Sequence, residues 1–292
     1  MTMIAVTGVT GVTGQLGGRV ARRLAAAGNA QRLIVRDASR APRLAGAEVA
    51  VADYRDRDAV TEALTGAGTV LMVSAPEAAD RLTTHRSFVE GAVAAGVGHL
   101  IYVSFYGASP TATFTLAREH AATEELIRGT GLAYTFLRDN FYADFLPGLA
   151  GPDGVIRGPA ADGRVAAVAQ DDIADAAAAV LGDPEPHVGR TYTLTGPDSL
   201  SLHEVAELIT TVTGRETRYE AETLEEAARS RAGYNAPDWQ LQAWISTYTA
   251  MAHGEVATVT GDVLELTGHP PISFEQLLRS ADPQGQHLEA TQ

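Results

Sequence analysis

The sequence predicts an α/β fold, a doubly wound parallel sheet with a smaller C-terminal α+β lobe. Three observations predict it. Short apolar runs alternate with helical patterns from the N-terminus to about residue 140. The first run, Ile4-Ala5-Val6, meets a glycine ladder at Gly8, Gly11, Gly14 and Gly17, and a stripe of Leu16, Val20 and Leu24 at helical spacing follows it. Beyond Tyr142 the alternation weakens into loops rich in Gly, Pro and Asp and into separately capped helices. Strand, glycine turn and amphipathic helix, in that order, open a Rossmann-type dinucleotide-binding unit.

Glycine lets the chain turn sharply and lets a pyrophosphate approach without a Cβ in the way, and the helix N-terminus offers free N–H groups to it. Gly8-Gly11-Gly14 and Gly11-Gly14-Gly17 both have suitable spacing inside the triplet repeat. The second set runs directly into the helix through Gln15-Leu16-Gly17 and is preferred. A glycine-rich turn without a cofactor is the plainer alternative.

Residues 31–35 (QRLIV) read as the second strand, followed by Arg36-Asp37. At this place an acid meets a ribose 2′-hydroxyl, whereas an arginine pairs with a 2′-phosphate. Arg36 argues for NADP(H), Asp37 keeps NAD(H) open, and a solvated charged loop is the alternative to both. Residues 47–51 form the third strand, with Asp53-Tyr54 placed to flank adenine. A helix at 58–64 and a strand at 69–73 follow, the strand ending at Ser74-Ala75-Pro76 near the middle of the cofactor. A long helix at 81–95 leads to a strand at 99–103 that ends in Ser104-Phe105. The helix at 115–130 carries His120 and Glu124, and the strand at 133–137 ends in Arg138-Asp139-Asn140-Phe141-Tyr142.

The remainder is less regular. Residues 148–163 read as a loop or short hairpin. Gln170-Asp171-Asp172 is expected to cap a helix over 173–181, and 190–194 is expected to join the sheet. Ser201-Leu202-His203-Glu204 is a capping box opening a helix to Thr213. A strand at 217–220 and two or three helices through His253 follow, then a helix capped by Ser273. The expected division is a nucleotide-binding domain at 1–140 with 165–196 completing its sheet, a covering lobe at 141–164 and 197–280, and a polar tail at 281–292.

Composition narrows the chemistry. The net charge of −14 argues against nucleic acid as a partner. No signal peptide or membrane-length apolar run is evident, so a cytoplasmic chain without a membrane partner is expected. Cysteine is absent, and all 22 basic residues are arginine. That removes disulfides, thiolate nucleophiles, a Schiff-base lysine and any Tyr-x-x-x-Lys pair. The eight histidines show no metal-binding spacing, and no metal is expected.

Taken together, Gly11-Val-Thr-Gly14-Gln-Leu-Gly17, Val35-Arg36-Asp37, Ala52-Asp53-Tyr54, Val103-Ser104, His120-Ala-Ala-Thr-Glu124, Tyr134-Thr-Phe-Leu-Arg138-Asp-Asn140-Phe-Tyr142, Asp172-Ile-Ala174 and Leu266-Thr-Gly-His-Pro-Pro271 resemble the NmrA-like atypical short-chain dehydrogenases. Within them the chain is most similar to the type 2 NAD(P)H:quinone oxidoreductases and the triphenylmethane reductases, from its start to about Arg279. The resemblance implies NADP(H) bound by Gly11, Thr13, Gly14, Gln15, Leu16 and Gly17. It implies Arg36 on the 2′-phosphate, Asp53 and Tyr54 beside adenine, and Ser74, Ala75, Ser104 and Phe105 on the nicotinamide side. His120 falls where reductases of this superfamily often place the catalytic lysine. The chain departs from the family by one extra Val-Thr-Gly triplet in the turn.

Reducing an unactivated ketone creates an alkoxide with a conjugate-acid pKa of about 16, which calls for a strong proton donor. A quinone instead becomes a phenolate-like anion, pKa about 10. The missing lysine therefore favours a quinone or similar conjugated small-molecule acceptor. His120, Tyr142 and Asn140 are the expected catalytic and substrate-contacting residues. The alternatives are a surface His120–Glu124 pair and ordinary lobe packing by Tyr142. Trp239 and Trp244 are expected in the core. An NADP(H)-binding redox sensor without turnover, or a biosynthetic reductase or isomerase of an aromatic or polyketide-like intermediate, stands as the alternative function, and a homodimer is left open.

Overall fold

The computed structural model describes residues 3–10 and 16–281. The first half alternates as the sequence predicts: β1 (Met3–Val6), α1 (Leu16–Ala26), β2 (Gln31–Val35), β3 (Ala47–Val51), α2 (Arg57–Leu64), β4 (Ala67–Val73), α3 (Arg81–Ala94), β5 (His99–Phe105), α4 (Thr115–Arg128) and β6 (Ala133–Asp139). The second half contains β7 (Val155–Gly158), β8 (Arg164–Val165), α5 (Gln170–Gly182), β9 (Thr191–Leu194), β10 (Leu200–Ser201), α6 (Leu202–Thr213), β11 (Arg218–Ala221), α7 (Leu224–Arg231), α8 (Asp238–Ala252), α9 (Asp262–Thr267) and α10 (Phe274–Ala281).

Seven strands form one parallel sheet in the order β3-β2-β1-β4-β5-β6-β9. Such strands are buried on both faces, so successive residues enter different cores. Val70 and Met72 of β4 pack with Val60, Leu64, Phe88 and Ile127 of α2, α3 and α4. Leu71 between them packs on the other face with Val20, Leu24, Ile173 and Val180 of α1 and α5. The chain reverses its direction of travel across the sheet between β1 and β4. At such a switch point the crossover loops part and leave a crevice at the strand carboxyl ends.

A third apolar cluster joins α6, α8 and α10 to Phe105, Phe114 and Ile156. The segment at 148–163 makes only a fragment of a hairpin, one antiparallel bridge from Ala150 to Ile156. Its strand β7 pairs instead with β11, in parallel. A partner so distant in sequence leaves no local turn signal. The start of α5 also differs from expectation. Gln170, Asp171 and Asp172 lie inside the helix, and the carboxylate of Asp144 accepts from Gln170 N at 2.9 Å, so the cap comes from outside the segment. The capping box at Ser201 and Glu204 forms as expected. Past Ala281 the expected tail lies outside the described residues.

The Pro-Pro segment before α10 is pinned to α5 by Asp172, whose Oδ2 accepts from Ile272 N at 2.8 Å. Its Oδ1 is buried with no hydrogen-bond partner among the described residues. Burial pushes this carboxyl up to about 6. A carboxyl that holds its proton more tightly when folded loses stability as pH rises, here between the ordinary carboxyl value of about 4 and about 6. Asp172→Asn is expected to flatten that decline in thermal melts across the window. An unchanged slope would assign it to other groups.

Candidate functional site

A cleft of about 300 Å³ opens at the switch point. Its floor is the end of β1. Gly8 there has φ +68, and a Cβ on it would lie 2.7 Å from the Val73 side chain. Thr7 clamps the two central strands: its Oγ1 donates to Leu71 O at 2.9 Å and accepts from Val73 N at 2.9 Å and from the Tyr54 hydroxyl. Tyr54, its ring tilted 38° against Phe88 with centroids 4.3 Å apart, forms a wall held from behind.

At one end the cleft is lined by Arg36, Asp53 and Arg55. The Asp37 carboxylate turns away and caps a short 3₁₀ turn, accepting from Ser39 N at 2.9 Å and Ser39 Oγ at 2.7 Å. Arg36 lines the cleft, and the Asp37 carboxylate is engaged by Ser39. Asp53 Oδ1 accepts from Arg55 N at 2.9 Å, which shapes the turn around it.

The middle is the segment Val73 to Ala78. Both backbone groups of Ala75 are held by α3: Ala75 N donates to His85 Nε2 at 2.9 Å, and Arg81 Nε donates to Ala75 O at 2.8 Å. Because Nε2 of His85 accepts, its hydrogen sits on Nδ1 and goes to Thr123 Oγ1 at 2.9 Å. Burial first, and the Arg81 charge second, push this imidazole down to about 3. From above, Gln240 Nε2 and Trp244 Nε1 of α8 donate to Glu77 Oε2 at 3.4 and 3.2 Å. The far end is lined by Arg81, Thr84, Leu116 and Tyr142. The Tyr142 hydroxyl and Asp139 Oδ2 are hydrogen-bonded at 2.8 Å.

A model of the NmrA-like family matches residues 3–249. The chain is 32% identical to quinone oxidoreductase 2 of Escherichia coli, over 94% of this chain and 96% of that one. The chain belongs to the NmrA-like family. It is also 30% identical to an NAD(P)H azoreductase of Xenophilus azovorans, over 91% of this chain and 94% of the relative. The E. coli quinone oxidoreductase crystallised with NADPH superposes with a TM-score of 0.86 at 31% identity, covering 96% of this chain and 99% of that one. Triphenylmethane reductase of Citrobacter sp. with NADP(H) superposes with a TM-score of 0.83 at 31% identity, covering 96% and 100%.

This NmrA-like chain gathers Leu16, Arg36, Asp53, Tyr54, Ser74, Ala75 and Tyr142 around the cleft. Gly11, Thr13, Gly14 and Gln15 lie outside the described residues. Other expected site residues stand elsewhere. Gly17 serves packing: a Cβ there would lie 1.9 Å from Thr7 O, so its absence lets α1 seat on β1. Asn140 is fully buried, donating to Val256 O at 2.9 Å and accepting from Phe141 N at 2.8 Å, so its amide is committed to backbone. Ser104 is buried and donates to Glu124 at 2.6 Å, and Phe105 packs against Phe114 and Phe141 at 4.8 and 4.9 Å.

His120 is corrected on both readings. Glu124 binds Arg138 and Arg128 rather than His120. His120 Nε2 accepts from Arg81 Nη2 at 2.9 Å, which leaves its hydrogen on Nδ1 for the Tyr102 hydroxyl at 2.9 Å. Burial, reinforced by Arg81, His85 and Arg138, holds the ring well below its usual range, so it stays neutral and points its proton away from the cleft. The tryptophans are half-exposed rather than core. Arg81, Asp139 and Thr7 carry roles that the sequence does not announce, and Gly8, from the less favoured of the two glycine sets, forms the floor. Arg81 offers one signal in the sequence, a cation in the first turn of a helix, where the dipole disfavours it.

Proposed function

We propose that this chain is an NADPH-dependent oxidoreductase that passes hydride to a quinone or similar conjugated acceptor without a Tyr-Lys pair. The observation that carries the reading is the cleft itself, with Arg36 at one end, Tyr142 and Leu116 at the other, and a clamped glycine floor between. It supports a dinucleotide better than a compact ligand. Gly8 leaves no Cβ over the floor, and α1 starts beside it, so backbone N–H groups and the helix dipole favour a pyrophosphate there. Arg36 would pair with the 2′-phosphate, and Asp53 and Tyr54 would bound the adenosine. Ser74, Ala75 and Tyr142 would bound the nicotinamide. When bound, NADPH supplies the hydride and the reducing equivalents. The chain's own part is to hold two flat rings together and exclude water, and positioning of this kind can carry most of the rate for an acceptor whose reduced anion is no more basic than a phenolate. Names of relatives that reduce quinones and azo compounds support the acceptor class.

The test is NADPH oxidation followed optically with a panel of quinones. Tight NADPH binding with no turnover on any acceptor would overturn the reading in favour of a sensor. Arg36→Ala is expected to lower the NADPH-over-NADH preference at least about tenfold, the worth of a charge-assisted hydrogen bond to a phosphate. An unchanged preference would remove Arg36 from the 2′-phosphate.

A further inference from the structure

Asp139 is a buried acid that the hydride reading does not use. It is 4% exposed, at the last position of β6. Tyr142 is its side-chain hydrogen-bond partner among the described residues, and no ion pair there involves it. The neighbouring Arg138 turns the other way, giving Nε and Nη2 to Glu124 at 2.8 and 2.7 Å. Charged and titratable groups that face the pair are Arg81 on α3, Tyr102 on β5 and Asp144 beyond Tyr142. Of these only Arg81 is a cation, and it is bonded to Glu119, Ala75 and His120. Burial without a cation partner holds the Asp139 carboxyl well above its ordinary range, and burial beside that carboxyl raises Tyr142 as well.

The direction of the hydrogen bond decides what Tyr142 offers the cleft. If Asp139 is ionised, the tyrosine spends its one hydrogen on the carboxylate. If Asp139 carries a proton, the carboxyl donates to the tyrosine oxygen and the phenolic hydrogen is free to face the cleft.

Resting on the reductase reading above, we propose that Asp139 and Tyr142 form a two-step proton relay that completes reduction of the acceptor. After gaining hydride, the acceptor carries one negative charge on oxygen. The Tyr142 O–H bond breaks as an O–H bond forms on the acceptor. The Asp139 O–H bond breaks as the Tyr142 O–H is restored, and Asp139 regains a proton from water after product leaves. One hydride and one proton thus turn a quinone into a hydroquinone. Tyr142 touches the acceptor, and Asp139 acts through it.

Asp139→Asn keeps the shape and an N–H donor for Tyr142 but has no proton to pass on. The first readout needs no turnover. The cofactor-free protein is expected to show the infrared band of a protonated carboxyl at neutral pH, and the variant to lack it. Absence of the band from the parent protein would overturn the relay. The second readout compares a quinone with a cationic triarylmethyl dye, which becomes neutral on accepting hydride and needs no proton. The substitution is expected to slow quinone reduction at least about tenfold more than dye reduction. The alkaline decline of the quinone rate, where the pair loses its proton, is expected to vanish in the variant. Equal slowing of both acceptors with an unchanged pH profile would reduce Asp139 to a structural part. Failure of the parent protein to oxidise NADPH with either acceptor would instead overturn the reductase reading, and the infrared result would still judge the pair.

Discussion

Arg81→Met is expected to destabilise the protein by roughly 2–4 kcal/mol, because it strips donors from three buried or part-buried acceptors at once. Arg81 is 4% exposed and gives Nε to Ala75 O, Nη1 to Glu119 and Nη2 to His120. Glu119 is one-third exposed and would be resolvated, which holds the loss below that of a fully buried pair. His120 Nε2, on a buried side chain, has no such recourse. A functional loss should accompany the stability loss. Arg81 fixes the Ser74–Ala78 segment that forms the middle of the cleft, so NADPH affinity is expected to fall about tenfold or more, by the ordering that binding must then supply. Urea unfolding and NADPH titration measure the two effects. A variant within about 0.5 kcal/mol of the parent would show that the network adds nothing to stability.

Gly17→Ala is the second large effect. A Cβ at 1.9 Å from Thr7 O and 2.7 Å from Gly8 C meets backbone, which cannot swing aside as a side chain can. α1 would have to lift off β1 by more than an ångström, and overpacking of that kind costs about 3 kcal/mol or more. The displacement acts where Thr7 joins Leu71, Val73 and Tyr54, so it reaches the cleft floor directly. NADPH affinity is expected to fall by about two orders of magnitude, the equivalent of roughly 3 kcal/mol. Gly182→Ala is the control, since a Cβ there meets nothing, and it should stay within about 0.5 kcal/mol of the parent. Equal behaviour of the two variants would show that α1 can relax around the added methyl.

The parallel sheet was legible because each strand is a continuous apolar run whose neighbours in sequence are helices of clear period. Arg36, Tyr54 and Ser74 were legible for a related reason: a cleft at strand carboxyl ends names its lining by position. What the sequence hid was partnership. Nothing local says that His120 faces Arg81 from another helix, or that Asn140 spends its amide on Val256. Nor does it say that β7 reaches across to β11. Asp139 was passed over because it lies between more conspicuous residues, Arg138 and Asn140, and only burial sets it apart.

The pairing of β7 with β11 also imposes an order of assembly. Six of the seven sheet strands have been synthesised by Asp139, and the five β1–β6 pairings among them span moderate separations. β7 has no strand to pair with until β11 is made, roughly 60 residues later, and closing so long a loop is slow. Between the two, the chain leaves the lobe to lay down α5 and β9 on the sheet and then returns. The lobe is therefore woven from strands that cannot meet during the first half of synthesis. The end of the cleft lined by Arg36, Asp53 and Arg55 is set by early, mostly local contacts. The middle of the cleft, where α8 reaches Glu77, is completed last. A nascent chain can thus hold the shape of a nucleotide site well before it holds the shape of a reductase.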